Sequence, residues 1–172
     1  MRILRPIFWI GILGLIIFAL YQWLILPFFF PSARILHMID ADSLLVKEGG
    51  KIKLVQLIGT DAPELTGALK GHQCYDNKSL SAAAAYFRTN RDIKLTIDGK
   101  AGEKDAYGRA LRYVYLPDGT VYNEKLIRDG LARESNPQNT DYKLKSDFLK
   151  AQEEAKAKGL GIWSANGCKG KF

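Results

Sequence analysis

The chain has 172 residues, a formal net charge of +7 and two cysteines. This length accommodates one domain plus an appendage and excludes two large domains, while two cysteines with no histidine at ligand spacing argue against a zinc site. The basic excess indicates an anionic partner, nucleic acid or a lipid surface, although moderate basicity also serves solubility alone.

The first elements in chain order form an apolar segment. Residues 7–30 contain no charged side chain, and about twenty such residues in a helix cross the hydrocarbon core of a bilayer. Trp9 lies near one end, and Tyr21 and Trp23 lie toward the other, as in an interfacial aromatic belt. A cleaved signal peptide is the alternative, but its apolar core usually has only about 7–15 residues. We therefore predict one uncleaved transmembrane helix within a region, residues 1–31, that also holds a short stub and a tether.

Charges beside this segment predict its orientation. Arg2 and Arg5 precede it, and only Arg34 follows it closely. Because positive residues favour the cytoplasmic side, the amino terminus is expected in the cytoplasm and residues 32–172 in an extracellular or periplasmic domain. In such an oxidising compartment an even cysteine count favours a disulfide between Cys74 and Cys168. Two free, partly buried thiols are the alternative.

Beyond the segment, strand-like patterns come first and helices follow. Strands are predicted between residues 34 and 60, with a tight turn at Gly49-Gly50, and again at 93–97 and 111–116. Helices are predicted at 79–88, 123–128 and 143–158, the second capped by Asn123 and the third burying Leu144, Phe148, Leu149 and Ala155. This α+β, mainly β order suits a small barrel with helices packed on it.

Three polar clusters stand at the predicted strand ends. They are Asp-Ala-Asp at 40–42, Gly-Thr-Asp-Ala-Pro-Glu at 59–64 and Asp-Ala-Tyr-Gly-Arg at 105–109. Carboxylates from two segments can clamp a hard cation and leave positions for water and substrate. A third carboxylate can take a proton from water, and an arginine fork can hold phosphoryl oxygens. Singly, each cluster also fits a turn, a strand exit or a solvated loop; their joint order favours a site.

The same ordered motifs resemble those of the thermonuclease, or staphylococcal nuclease, family. The motifs are residues 39–42, 55–64, 107–111 and 159–163, and the resemblance covers nearly all of residues 33–164. It implies an OB-fold barrel of five strands with three helices. It also implies Ca²⁺-dependent cleavage of 5′ P–O bonds in DNA and RNA, preferentially single-stranded, leaving 3′-phosphates. A monomer is expected.

The resemblance also implies roles for single residues. Asp42 and Asp61 match the carboxylates that bind Ca²⁺, and Ala62 matches the residue that gives the ion its backbone carbonyl. Glu64 matches the general base that activates water. These four residues would form the metal and proton-accepting half of the site.

The phosphate-binding half matches the family only in part. Arg109 matches one of two phosphate-clamping arginines, and Tyr107 matches an aromatic residue beside the nucleotide. The family's other arginine lies five residues before the metal-binding Asp61, where this chain has Gln56. Glutamine keeps a hydrogen-bond donor but lacks the charge and the fork, and losing one preorganised donor costs about 10²–10³ in rate. The leading interpretation is a tethered nuclease of reduced activity; the alternative is an OB module that binds nucleic acid or protein without cutting.

Overall fold

The computed structural model of the protein describes residues 4–21, 33–65, 73–137 and 141–172. The chain divides into two units, Met1–Pro31 and Ser32–Phe172. In the first, α1 spans Leu4–Leu20, which is 17 residues. Within the described ranges, no helix has both the length and the apolar character needed to span a bilayer. Of the predicted span of residues 7–30, residues 22–30 lie outside the described residues.

The second unit is built on a closed barrel whose strands follow the order β1-β2-β3-β6-β5. Its strands are β1 Ala33–Met38, β2 Ser43–Glu48, β3 Lys51–Leu57, β5 Asp92–Thr96 and β6 Ala110–Tyr115. Only β3 and β6 pair in parallel; the other barrel neighbours are antiparallel. A separate two-stranded sheet joins β4, Thr60–Asp61, to β7, Arg133–Glu134. The predicted five-stranded, mainly β barrel is confirmed.

Alternation along the strands fixes which side chains form the barrel interior. In β3, Val55 and Leu57 are buried, whereas Ile52, of the opposite parity, is 64% exposed. This is the period of two that a strand with one buried face requires. Gly49 and Gly50 both adopt positive φ in the β2–β3 turn, as a tight hairpin demands. The register of β3, and with it the direction of Gln56, follows from this pattern.

Three helices accompany the barrel in the described part of the second unit. They are α2 Asp76–Ala85, α3 Tyr122–Arg128 and α4 Lys145–Ala157, and a 3₁₀ turn follows at Gly161–Trp163. The prediction that Leu149 faces the core is wrong, because its side chain is 40% exposed. Phe148, Ala151 and Ala155 are fully buried, and their helical spacing places the core stripe beside Leu149 rather than under it.

The predicted capping role of Asn123 is also wrong. Val121 holds the cap position, with no side-chain cap bond, and Asn123 lies inside α3, fully buried. Its Oδ1 accepts from the Val114 N–H at 2.9 Å and its Nδ2 donates to the Ile58 carbonyl at 3.0 Å. Buried backbone groups at strand ends need partners, so the amide is drawn inward. Asn123 thereby fixes the exit of β3, where the first residues of the candidate site follow.

Two glycines lock the end of α3 to the 3₁₀ turn. The Gly130 carbonyl accepts from the Ile162 N–H at 2.8 Å. A Cβ on Gly161 would lie 1.9 Å from the Gly130 oxygen, so no larger residue fits there. This close approach explains the glycine inside the motif at residues 159–163. It also fixes the start of the segment that continues into β7.

Candidate active site

A cleft of about 330 Å³ opens where β3 leaves the barrel and β6 enters it. Six of the residues that the sequence indicated line it: Asp42, Gln56, Asp61, Glu64, Tyr107 and Arg109. They come from the β1–β2 turn, from β3, β4 and the loop after it, and from the loop before β6. The parallel pairing of β3 with β6 sets Gln56 opposite Leu111, which brings these distant segments together.

Asp42 is the most buried acidic side chain of the cleft, at 4% exposure. Its Oδ2 accepts from the Ala62 N–H at 2.9 Å, and its own N–H donates to Asp40 Oδ1 at 3.0 Å. Burial raises the pKa of Asp42 well above its ordinary value, and the hydrogen bond and charge of Asp40 and the charge of Asp61 add to this effect. Carboxylates crowded in this way are stabilised by a cation.

The donor set fits a hard divalent cation. Asp61 presents Oδ2 to Arg133, whose Nε and Nη2 both lie 2.8 Å away, and its Oδ1 receives no hydrogen bond from the described residues. The buried Ala62 adjoins both carboxylates and can contribute its carbonyl oxygen. Carboxylate and peptide oxygens are what Ca²⁺ prefers. In the described ranges, no group of three or more His, Cys, Asp or Glu side chains is placed to hold a metal ion.

Asp105 holds Arg109 in place. The Arg109 Nε donates to Asp105 Oδ2 at 2.5 Å, and the N–H groups of Arg109 and Tyr107 donate to Oδ1 at 2.9 Å. Burial alone would raise the pKa of Asp105, but the side-chain and backbone hydrogen bonds and the charge of Arg109 outweigh it and lower that pKa. The opposite edge of the guanidinium approaches the Ser43 Oγ at 3.4 Å. Asp105 therefore fixes the orientation of the Arg109 guanidinium, as the binding of a phosphate by two parallel N–H groups requires.

Tyr107 and Glu64 are exposed residues of the cleft. Tyr107 is 86% exposed, and its ring centre lies 5.5 Å from the Arg109 guanidinium carbon. Glu64 is exposed, and its backbone N–H donates to the Gln73 Oε1 at 2.6 Å. The backbone of Glu64 is thus tied to the next described segment while its carboxylate remains open to solvent.

Cys74 and Cys168 are joined by a disulfide, with 5.7 Å between their α-carbons. The bond links residues 94 positions apart in the sequence. Cys74 lies two residues before the start of α2, and Cys168 lies in the last turns of the chain. The bond therefore ties the carboxyl terminus to the segment that follows the cleft residue Glu64.

Sequence reasoning missed the positioning roles of Ser43, Asp105 and Arg133, although Asp105 already stood in the third polar cluster. Ser43, Asp105 and Arg133 carry no motif that marks them as partners of Gln56, Arg109 and Asp61. For Asp105, the four-residue spacing to Arg109 is a usable signal of an ion pair. For Arg133 the sequence offers none, because its contact with Asp61 depends on the long-range pairing of β4 with β7.

A closed five-stranded barrel whose cleft joins crowded carboxylates to a fixed arginine is the arrangement of a small barrel nuclease. Comparisons with known proteins agree: the family model described as "Staphylococcal nuclease homologue" matches residues 54–165. The chain belongs to the staphylococcal nuclease homologue family. The predicted family is confirmed, and with it the enzyme class, a nuclease that hydrolyses phosphodiester bonds.

Three relatives illustrate the match. "Thermonuclease" of Staphylococcus hyicus is 34% identical over 131 residues, which cover 76% of this chain and 75% of that protein. "Thermonuclease" of Staphylococcus intermedius is 36% identical over 133 residues, with 77% and 76% covered. "Endonuclease YncB" of Bacillus subtilis (strain 168) is 32% identical over 130 residues, with 75% and 60% covered.

Proposed function

We propose that the protein is a Ca²⁺-dependent endonuclease that cleaves 5′ P–O bonds in DNA and RNA, preferentially single-stranded, and leaves 3′-phosphates. One observation carries the proposal: a single cleft holds both the crowded carboxylates Asp42 and Asp61 and the preoriented guanidinium of Arg109. A phosphodiester needs both, because negative charge grows on its non-bridging oxygens as the bond to the leaving group breaks.

Asp42, Asp61 and the Ala62 carbonyl are the residues that would hold the ion. When bound there, Ca²⁺ supplies positive charge beside the phosphoryl group. Glu64 would accept a proton from the attacking water, whose oxygen forms the new bond to phosphorus as the bond to the 5′ oxygen breaks. The departing 5′ oxygen takes up a proton and the 3′ oxygen keeps the phosphate. Arg109, oriented by Asp105, would donate both arms of its fork to non-bridging oxygens.

The exposed ring of Tyr107 supports the preference for single strands. Its 86% exposure beside Arg109 leaves a flat aromatic surface next to the phosphate-binding group. An unpaired base can stack on such a surface, whereas a base inside a duplex cannot reach it. The contribution of one such stack is about 1–3 kcal/mol.

A second candidate function follows from Gln56. Without the second guanidinium, the barrel is also suited to bind a nucleic acid or a protein without cutting it. The retained carboxylates and Arg109 favour the enzyme, and a cleavage assay separates the two. The second candidate replaces the first if neither the native chain nor the Gln56→Arg variant cuts DNA or RNA with any divalent ion.

We further propose that the protein is a single-pass membrane protein with its amino terminus in the cytoplasm and residues 32–172 outside. The uncharged run of residues 7–30, preceded by Arg2 and Arg5, supports this. The Cys74–Cys168 bond is in keeping with an oxidising compartment. Mass spectrometry that finds a mature amino terminus near Ser32 would refute the anchor, and domain protection from protease added to intact cells or spheroplasts would reverse the orientation.

The decisive experiment is a cleavage assay on the full chain in detergent micelles. Single-stranded DNA, duplex DNA and RNA are each incubated with Ca²⁺ or with a chelator, beside Glu64→Gln as the matched inactive control. We expect Ca²⁺-dependent cleavage that is slow, faster on single strands, and strongly reduced in the control. Phosphatase treatment of end-labelled products then distinguishes 3′-phosphates from 5′-phosphates.

A further inference from the structure

The Arg133 side chain connects the carboxyl-terminal tail, residues 168–172, to the loop of residues 60–64, here called the metal-binding loop. Arg133 donates from Nη1 to the Gly170 carbonyl at 3.0 Å, and its guanidinium carbon lies 4.4 Å from the centre of the Phe172 ring. The same guanidinium donates from Nε to Asp61 Oδ2 at 2.8 Å. One planar group therefore joins the last residues of the chain to a carboxylate of the cleft.

The tail is itself held at two points. Its Gly170 N–H donates to the Ile162 carbonyl at 3.1 Å, on the 3₁₀ turn. Its first residue, Cys168, is bonded to Cys74. Cys74 in turn follows Gln73, whose side chain accepts from the Glu64 N–H at 2.6 Å. The disulfide thus connects the two segments that touch the loop of residues 60–64 from outside the cleft.

The Arg133–Asp61 pair needs this support. The two side chains are 35% and 33% exposed, and an ion pair so open to water contributes little to stability by itself. It does not immobilise a carboxylate unless the arginine is fixed from elsewhere. The Gly170 carbonyl and the Phe172 ring supply that fixation, because they leave the guanidinium plane one orientation toward Asp61.

We propose that the tail and the Cys74–Cys168 disulfide form a clamp on the metal-binding loop, with Arg133 as the positioning residue that orients Asp61. This inference rests on the proposed function because it takes Asp61 to be a ligand of the cation. By holding Oδ2, Arg133 turns Oδ1 toward the cleft before any ion arrives. Groups that orient a metal ligand in this way typically change metal affinity about 10–100-fold when removed. Releasing the tail should therefore weaken cation binding although no cleft residue is altered.

The test is a double-mutant cycle on the full chain in micelles. Cys74→Ser with Cys168→Ser releases the tail without changing the formal charge, and Arg133→Met removes the connection to Asp61. Calorimetry gives the Ca²⁺ dissociation constant of each variant and of the combination. Arg133→Met also removes a positive charge near the ion, but this effect is common to both backgrounds and cancels in the cycle. Lys100→Met, which breaks an exposed ion pair with Asp141 elsewhere, is the matched charge control.

We expect the cysteine pair variant to bind Ca²⁺ about ten-fold more weakly than the native chain. This is the lower end of the change in metal affinity, about 10–100-fold, that removal of an orienting group causes. In the Arg133→Met background the same two substitutions should have little further effect. A Gly170→Ala variant tests the tail with the disulfide intact: its Cβ would lie 2.0 Å from the Trp163 ring, and its φ of +71° strains any residue other than glycine, so the tail or the ring must shift. This variant should show the same loss of Ca²⁺ affinity as the cysteine pair variant. Equal weakening in both backgrounds, or no weakening, would overturn the clamp.

Hydrogen exchange without Ca²⁺ separates failure of the clamp from failure of the proposed function. Amides of residues 58–65 should exchange faster in the cysteine pair variant, relative to β2 and β3 amides that report global stability. The increase should disappear in the Arg133→Met background. If the native chain binds no Ca²⁺, the Ca²⁺-dependent function fails, and the exchange result alone decides the clamp: an increase that persists without Arg133, or no increase, refutes it.

Discussion

The Ser43 hydroxyl donates to the Gln56 Oε1 over 2.6 Å, inside the cleft. The Ser43 Oγ also accepts from the Arg109 Nη1, which lies 3.4 Å away. A hydroxyl has one hydrogen, and here it is directed to the glutamine carbonyl. The Gln56 amide nitrogen therefore faces away from Ser43 and remains available as a neutral donor. Gln56 is a positioned member of the site, but it brings no charge to it.

Gln56→Arg should raise kcat about 10-fold or more with a smaller change in KM, since a charged fork acts mainly on the transition state. Steady-state kinetics on single-stranded DNA with Ca²⁺ measures both constants. Gln56→Leu is the matched control: it removes the neutral donor and should lower kcat. A fast native enzyme that Gln56→Arg leaves unchanged would mean that another cation serves the site.

Asp105→Asn should lower kcat through Arg109. An amide at this position still accepts from the backbone N–H groups, but it loses the charge that pairs with the Arg109 Nε at 2.5 Å. The fork then loses its fixed orientation, and we expect a decrease in kcat of about 10-fold, against the 10²–10³ of losing a donor outright. Arg109→Ala should cause this larger decrease in kcat. Asp105→Asn introduced into Arg109→Ala should have almost no further effect; a second full decrease would show that Asp105 acts independently.

The fold was predictable because local patterns and the barrel agree. Alternation in β3 and the Gly49-Gly50 turn mark the hairpin, and the acidic and basic clusters mark strand ends that the barrel then brings to one cleft. Asn123 shows where such reasoning ends. An asparagine before a helix reads locally as a cap, yet buried carbonyl and N–H groups at the ends of β3 and β6 compete for it, and this competition depends on the tertiary fold.

The same limit applies to the supports of the site. Asp61 and Arg109 are recognisable from their motifs, whereas Arg133 contacts Asp61 only because β4 pairs with β7 across 72 residues of sequence. Nothing in the sequence around Arg133 specifies that partner. Residues that do chemistry are tied to a local motif, but residues that position them are selected by contacts that exist only in the folded chain.

Asn123→Ala should destabilise the domain by about 2–4 kcal/mol, because it leaves the buried backbone groups that bond to the Asn123 amide without a partner. Each such unsatisfied group costs about 1–3 kcal/mol. The side chain is fully buried and also reaches the Arg112 carbonyl at 3.2 Å. Urea unfolding followed by the change in tryptophan fluorescence gives the free energy of unfolding, and within residues 32–172 the fluorescent tryptophan is Trp163. Asn90→Ala, on an exposed turn, is the control. A loss below about 1 kcal/mol would mean that water replaces the amide at little cost.

Asp98→Asn should reduce stability at neutral pH and reduce it less at pH 3. Asp98 is 7% exposed and accepts from the Tyr113 hydroxyl and the Lys143 N–H, both at 2.6 Å, and from the Lys100 N–H at 2.8 Å. Burial alone would raise the pKa of Asp98, but these hydrogen bonds outweigh it and lower that pKa. A hydrogen bond to a charged group contributes about 1.5–3 kcal/mol, and the asparagine oxygen keeps part of these bonds in neutral form, so a net loss of about 1–3 kcal/mol is expected at pH 7.

The pH dependence of this loss follows from the direction of the shift. Because the native pKa lies below the unfolded value of about 3.9, the stabilisation by Asp98 is complete above that value and disappears as pH falls through the native pKa. Urea unfolding at pH 7, 5 and 3 should therefore show a constant difference in the free energy of unfolding between the native chain and Asp98→Asn at pH 7 and 5, and a smaller difference at pH 3.

Asp118→Asn is the control. Its carboxylate also has a lowered pKa but lies on an exposed turn, so this variant should change stability less at every pH. A difference for Asp98→Asn that persists undiminished at pH 3 would show that the asparagine acts by poor packing, and that the carboxylate charge does not hold Tyr113 and the start of α4 together.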